Sequence, residues 1–313
     1  MNWKNSNLLS MRSAFADTIF DLAKDDLNLY IVSVGLRPSI LMDKFSARYK
    51  TRFIEVGVAE NNAAGVAAGL AKSGKNVFLC TYACFSPGIN LATIKQSICE
   101  NNLPVKIIGF HAGLLTGELG ASHQMLEDIA LMRSLPTMEV FSPIDAIETV
   151  KITKVLAKSN VPTYMRLVRP DSPECYPHKF GFTIGKSQIL QSGKDITVLG
   201  YGPILTQAIN LDIKTSIEII NISSIKPLDE NTILNSIKKT GRCLVVEDHQ
   251  KIGGLGEAVA TLILKSGIKC KFDQIGVNNQ FGKSSFDPLD LYRLYGLSTT
   301  DIIAKIKYLM GKI

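Results

Sequence analysis

Through the first half of the chain, short apolar runs rich in β-branched residues alternate with stretches patterned at helical spacing. Leu29–Val34, Arg52–Val56, Asn76–Cys80, Val105–Phe110, Met138–Phe141 and Thr163–Leu167 read as strands. Between them, Ser13–Ala23, Glu60–Ala71, Leu91–Glu100, Leu126–Arg133 and Asp145–Ala157 read as helices. Strands separated by helices predict a parallel sheet covered on both faces. Arg169–Phe180 then brings three prolines into one short span. Proline lacks a donor N–H and fixes φ, so this span fits neither a helix interior nor a central strand, and it reads as a linker. The alternation resumes with strands at Ile196–Gly200, Ile217–Asn221, Arg242–Glu247 and Cys270–Ile275, and helices near Leu228–Lys238, Gly256–Lys265 and Thr299–Met310. The predicted fold class is α/β, as two three-layer α/β/α domains. Residues 1–170 and 185–313 form the domains, the second with a mostly parallel sheet, and 171–184 join them.

Length agrees with that division, because 313 residues suit about two domains. With 46% hydrophobic residues the chain can bury real cores, which excludes a disordered protein. No apolar run approaches the ~18–20 residues needed to span a bilayer. The richest run, Ala63–Ala71, is short and broken by glycine. The first residues, MNWKNSNLLSMRS, have no apolar core or cleavage site of a signal peptide. Lys and Arg number 35 against 28 Asp and Glu, a net charge of +7. These charges are interleaved rather than clustered, which argues for small anions and against nucleic acid or a membrane surface. None of the six cysteines forms a CxxC pair, which suggests reduced, buried thiols in a cytoplasmic protein. Cys84 reads as a small core residue, with a nucleophile as the alternative.

The motifs that are missing narrow the chemistry. GxxxxGK[ST], HExxH and GxSxG are absent. Gly200-Tyr-Gly202 and Gly254-Leu-Gly256 each lack the third glycine of a dinucleotide fingerprint, having Leu205 and Val259 in its place. The four histidines, His111, His123, His178 and His249, lack ligand spacing, so no metal site is expected from this chain.

One segment stands out. In Arg52-Phe-Ile-Glu-Val-Gly-Val-Ala-Glu60-Asn-Asn-Ala-Ala-Gly-Val-Ala-Ala-Gly-Leu-Ala71 a strand runs into a helix of small residues, with Glu60 in its first turn. From spacing alone, Glu60 is an ordinary carboxylate at a helix N-terminus. The segment, however, resembles the RFxxVGIAEQNxxGxAAGLA stretch of the transketolase family of thiamine diphosphate enzymes. His111–Pro136 is similar to that family's HQ-containing loop, and Ile225–Asp229, Val246–His249 and Gly253–Ala258 match its C-terminal part. The resemblance runs along nearly the whole chain. It implies a pyrimidine-binding domain followed by a transketolase C-terminal domain.

The resemblance also implies roles. The glutamate matching Glu60 hydrogen-bonds the cofactor's aminopyrimidine and favours the imino tautomer that takes the proton from thiazolium C2. Phe85 matches the aromatic stacked on that ring, with Tyr82 near it, although Phe85 alone would read as core. His123 matches a histidine at the reacting carbons of the donor. Arg12, Ser39, His111 and Arg169 match residues that hold a sugar phosphate, for which guanidinium groups are well suited. The Gly253–Glu257 stretch reads as a strand-to-helix turn with packing value.

Two positions depart from the family. Leu119 stands where an aspartate usually recognises an acceptor hydroxyl, and Gly35 where transketolases often have aspartate. Both bear on specificity. The GDG…N signature that holds the cofactor diphosphate through Mg²⁺ is absent. The expected protein is therefore the C-terminal subunit of a split transketolase, active with an N-terminal partner that carries Mg²⁺, as an α2β2 heterotetramer. The alternatives are a subunit like 1-deoxyxylulose-5-phosphate synthase or a 2-oxo acid dehydrogenase beta chain, or a non-catalytic partner subunit.

Overall fold

The structure, a computed structural model, describes residues 7–177 and 179–311, so His178 and the first six residues of the N-terminal stretch lie outside it. It contains two α/β domains whose sheets are mostly parallel. The first sheet has seven strands, ordered Ser224–Lys226, Glu139–Phe141, Thr163–Arg166, Val105–Phe110, Asn76–Tyr82, Leu29–Ser33 and Phe53–Glu55. The second has five, ordered Lys271–Val277, Arg242–Gln250, Ile196–Gly200, Ile217–Asn221 and Gln188–Gln191. Among the described residues no helix is long and apolar enough to cross a membrane.

The near-continuous apolar runs become central strands because both faces are covered. Val105, Ile107, Ile108 and Phe110 are all fully buried. On one face Phe15 of the helix Met11–Asp25 meets Phe78 and Phe110, with ring centroids 6.1 and 5.6 Å apart. On the other, the helix Glu60–Lys72 turns Ala63, Ala64, Ala67 and Ala68 toward Val32, Val77 and Leu79. Small side chains allow that close approach.

Several elements differ from the sequence reading, each for a local reason. The stretch Leu91–Glu100 is a single α-turn, Leu91–Thr93, followed by a π-helix, Ile94–Cys99, in which Glu100 N–H donates to the Lys95 carbonyl at 2.9 Å. The 171–184 stretch is tied down. Ser172–Pro173 pairs antiparallel with Leu8–Leu9, and the N–H groups of Cys175 and Tyr176 donate to the Asp145 carboxylate at 2.7 and 3.0 Å. The Ile225–Asp229 motif supplies an edge strand to the other domain, since Ser224–Lys226 pairs antiparallel with Glu139–Phe141. Asp229 then caps the helix Glu230–Thr240 through the Thr232 N–H.

A buried polar network fastens the domains together. The Arg166 guanidinium lies 3.2 Å from the Asp128 carboxylate and donates to the Asp248 carbonyl at 3.1 Å. The Asp248 carboxylate accepts from Leu114 N–H at 2.9 Å and Tyr292 O–H at 3.2 Å. Tyr164 O–H donates to Asp128 at 2.8 Å. Gly113, at φ +77°, lies against Asp248, where a Cβ would collide with the carboxylate. Glu247 takes the N–H groups of Leu255 and Gly256 at 2.8 and 2.9 Å, so the glycines near residue 254 serve a tight strand-to-helix turn.

Candidate active site

In open α/β sheets, ligands gather beyond the C-terminal ends of parallel strands. The residues singled out above lie at those ends in the first domain. Gly35 follows Leu29–Ser33, Glu60 follows Phe53–Glu55, and Tyr82 ends Asn76–Tyr82. His111 follows Val105–Phe110, and Arg169 follows Thr163–Arg166. Adjacent strands thus bring together residues far apart in sequence.

Four rings form one cluster. Tyr82 lies 4.1 Å from His111 and 5.8 Å from Phe85, centroid to centroid, while His123 stands edge-on to Phe85 at 5.5 Å and to Tyr82 at 6.3 Å. The Tyr82 hydroxyl and the Ser39 hydroxyl form a close hydrogen bond. The Arg12 guanidinium donates to the Ser39 carbonyl at 3.1 Å, and Arg12 Nε is buried without a partner among the described residues. His111 is also unsatisfied, at Nδ1. Its backbone is left-handed, at φ +56°, and its carbonyl accepts from Thr116 O–H at 2.6 Å. A buried non-glycine residue in that region costs on the order of 1 kcal/mol and aims its side chain away from an ordinary strand direction. Burial, then Arg12, Arg169 and His123, lowers the His111 pKa to about 3, so the imidazole is neutral.

Glu60 is 6% exposed at the start of its helix. Its carbonyl accepts from Asn90 Nδ2 at 3.0 Å, and its carboxylate has no hydrogen-bond partner among the described residues. It lies close enough to Cys84 to act on the thiol electrostatically. Burial pushes that thiol up to about 12, which keeps it protonated, as befits a small packing residue. All six cysteines are free, and Cys80, Cys99 and Cys243 are buried.

The two departures have distinct settings. Gly35, at φ +82°, donates its N–H to Glu55 Oε1 at 2.5 Å, so its backbone favours glycine whatever the space beside it. Leu119 ends the 3-10 segment Leu114–Leu119, which packs on the second domain. There Ser285 N–H donates to the Gly117 carbonyl at 3.4 Å, and Gln124 Nε2 donates to the Lys283 carbonyl at 2.8 Å. Two charged side chains beside the cluster escaped the sequence reading. Glu118 pairs with Arg169 at 2.7 Å, and Glu55 spans the Gly35 and Gly57 N–H groups. The signal for Glu118 was its place beside Leu119 within a matched motif. Glu55 had none.

Comparison with known proteins identifies the family. The family model for the transketolase pyrimidine-binding domain matches residues 8–174, and that for the transketolase C-terminal domain matches 185–302. The chain belongs to the transketolase family. It is 37% identical to a protein of Methanocaldococcus jannaschii named as a transketolase C-terminal section, covering 96% of each chain. It is 33% identical to one of the subunits of the apulose-4-phosphate transketolase of Phocaeicola vulgatus, covering 95% of this chain and 96% of that one. A solved structure described as a split gene transketolase, an inactive beta4 tetramer, superimposes with a TM-score of 0.89 at 34% identity, over 97% of this chain and 99% of the other. The likeness to a C-terminal section, a subunit and a split-gene chain runs along nearly the whole of this chain.

Proposed function

We propose that this chain is the C-terminal subunit of a thiamine diphosphate-dependent transketolase that moves a two-carbon ketol unit between phosphorylated sugars, together with an N-terminal partner. The observation that carries the reading is Glu60, 6% exposed at the start of its helix beside Cys84, with no side-chain hydrogen bond among the described residues. A largely buried acid whose carboxylate no protein donor occupies suits a site that a ligand donor completes. The Tyr82 and Phe85 rings offer an apolar face for an aminopyrimidine. When bound, thiamine diphosphate supplies the carbanion chemistry of ketol transfer. Glu60 holds and yields a proton at the pyrimidine nitrogen, Phe85 and Tyr82 fix the ring, and His123 hydrogen-bonds an oxygen of the donor's reacting carbons. Arg12, Ser39, His111 and Arg169 bind the substrate phosphate. Neutral His111 then acts as a hydrogen-bond donor rather than as a third cation. Among the described residues no group of three or more His, Cys, Asp or Glu could hold a metal. We assign Mg²⁺ and the cofactor diphosphate to the partner subunit, and the assembly to an α2β2 heterotetramer. Six free cysteines favour a reducing, cytoplasmic setting.

Leu119 and Gly35 remove two carboxylates from the specificity positions, so the acceptor we propose is a sugar phosphate without the usual C2 hydroxyl match. The test is co-expression with a GDG…N chain and an assay of cofactor-dependent ketol transfer. Glu60→Gln should cut the rate by about 10²-fold or more without disturbing assembly. Unchanged activity in that variant would point to a non-catalytic subunit, and pyruvate-dependent CO₂ release would favour the alternative thiamine enzymes. Efficient use of ribose 5-phosphate that Leu119→Asp does not improve would refute the specificity reading.

A further inference from the structure

Beside the phosphate-binding group assigned above lies a carboxylate that no phosphate site needs. Glu118 Oε1 lies 2.7 Å from Arg169 Nη2, so part of the guanidinium's donor capacity is already taken by a carboxylate. Both side chains are partly exposed, at 40% and 33%, so the pair can open without unfolding anything. Arg12, the other guanidinium, is bound differently. It donates to a neutral carbonyl of Ser39 and keeps a buried Nε without a partner. Asp171 lies within electrostatic range of Arg12 but forms no ion pair with it among the described residues. One cation of the pair is therefore already neutralised and the other is not. Glu118 sits in the segment Leu114–Leu119, which the second domain holds at the Leu114 N–H through Asp248 and at the Gly117 carbonyl through the Ser285 N–H, so its approach to Arg169 is set by the fold.

We propose that Glu118 is a resident counter-anion of this subsite: it occupies Arg169 in the empty site and yields to the substrate's phosphate. The inference rests on the phosphate reading given above. A dianion that also engages Arg12 and His111 can displace the carboxylate, whereas a neutral hydroxyl or a weak monoanion cannot. Glu118 thereby weakens every anion that needs Arg169 by about the same factor and leaves neutral ligands untouched, so it sets how far a phosphorylated sugar is favoured over an unphosphorylated one.

The experiment uses the complex assembled with its N-terminal partner, and inorganic phosphate as the probe, measured by calorimetric titration and as a competitive inhibitor. Glu118→Gln should tighten phosphate binding about 2- to 5-fold, the range of a partly exposed ion pair. It should lower KM for a phosphorylated sugar by a similar factor, leave kcat unchanged, and leave KM for an unphosphorylated sugar unmoved. Glu118→Asp should stay near wild type, and Glu118→Ala should follow Glu118→Gln. Arg169→Gln should loosen phosphate at least about tenfold, as loss of a charged partner does. If Glu118→Gln loosens phosphate as Arg169→Gln does, Glu118 positions the arginine and the proposal is overturned. If Arg169→Gln loosens phosphate while Glu118→Gln changes nothing, the phosphate site stands and the counter-anion role falls. If Arg169→Gln itself has no effect, the phosphate reading fails and takes this inference with it.

Discussion

Arg166→Met tests how the two domains are joined. The wild-type guanidinium is 3% exposed and its partner Asp128 is fully buried, so water replaces neither. Burial works against the Arg166 charge, yet Asp128, then Tyr201 and Asp248, hold its pKa above the ordinary value. Methionine fills much of the volume but leaves two buried carboxylates without their cation. Breaking a buried pair on one side costs about 3–5 kcal/mol. In a chain of this size each kcal/mol moves the unfolding midpoint by about 2–4 °C, so the drop should be roughly 6–20 °C. The assay is thermal unfolding of the purified chain followed by circular dichroism. Adding Asp128→Asn to Arg166→Met should recover a good part of the loss, because one orphaned charge is gone. The pH dependence has a defined sign. Burial raises the Asp248 pKa, and Arg166 is the leading influence holding it down, so removing Arg166 raises it further. A carboxyl whose folded pKa is raised destabilises above its unfolded value, and the cost fades as pH falls through the folded value. The deficit of Arg166→Met should therefore shrink on acidification. A midpoint within 2 °C of wild type at pH 8, measured as a ~1 kcal/mol bound, would refute the view that this network fastens the domains.

Three further outcomes follow from other sites. His111, with a pKa near 3, is neutral above pH 4, so KM for a phosphorylated sugar should show no inflection from it between pH 5 and 8; an inflection near pH 6 that disappears in His111→Asn would contradict the assignment. Burial raises the Glu148 pKa to about 7 against the hydrogen bonds from Ile144 and Asn221. Its folded value exceeds its unfolded one, so stability should fall by about 3 kcal/mol as pH rises from 4.5 through 7. Urea titrations at pH 5 and 8 should register that slope, and Glu148→Gln should flatten it. Gly113→Ala puts a Cβ into the Asp248 carboxylate at a positive φ. It should destabilise by at least about 2 kcal/mol, more than the same change at Gly241, where the positive φ is shared but the space is open.

The long central strands were legible because their signal is local. Val105–Phe110, Ile196–Gly200 and Ile217–Asn221 coincide with their apolar runs residue for residue. Gln188–Gln191 and Ser224–Lys226 were not, since short edge strands are chosen by the neighbour they pair with. The helix Pro288–Leu294 escaped notice because it is brief and follows a polar loop. At the site, residue identities could be matched one by one along the chain. The contacts of Tyr82 with His111 and of Glu118 with Arg169 could not, because they depend on which strands lie side by side. The left-handed backbone of His111 is equally invisible in sequence, since its neighbours rather than its own type impose it.

The exchange of one strand between domains also limits modularity. Ser224–Lys226 arises well after the proline-rich stretch, yet it closes the edge of the sheet that carries the candidate site. A nick near residue 180 would leave both fragments hydrogen-bonded to each other. A gene cut at the same place would give a first half with an open sheet edge, free to pair with any other strand. The joint visible in the sequence is a seam in the chain but not in the folded molecule, so recombination between relatives should keep the two domains together.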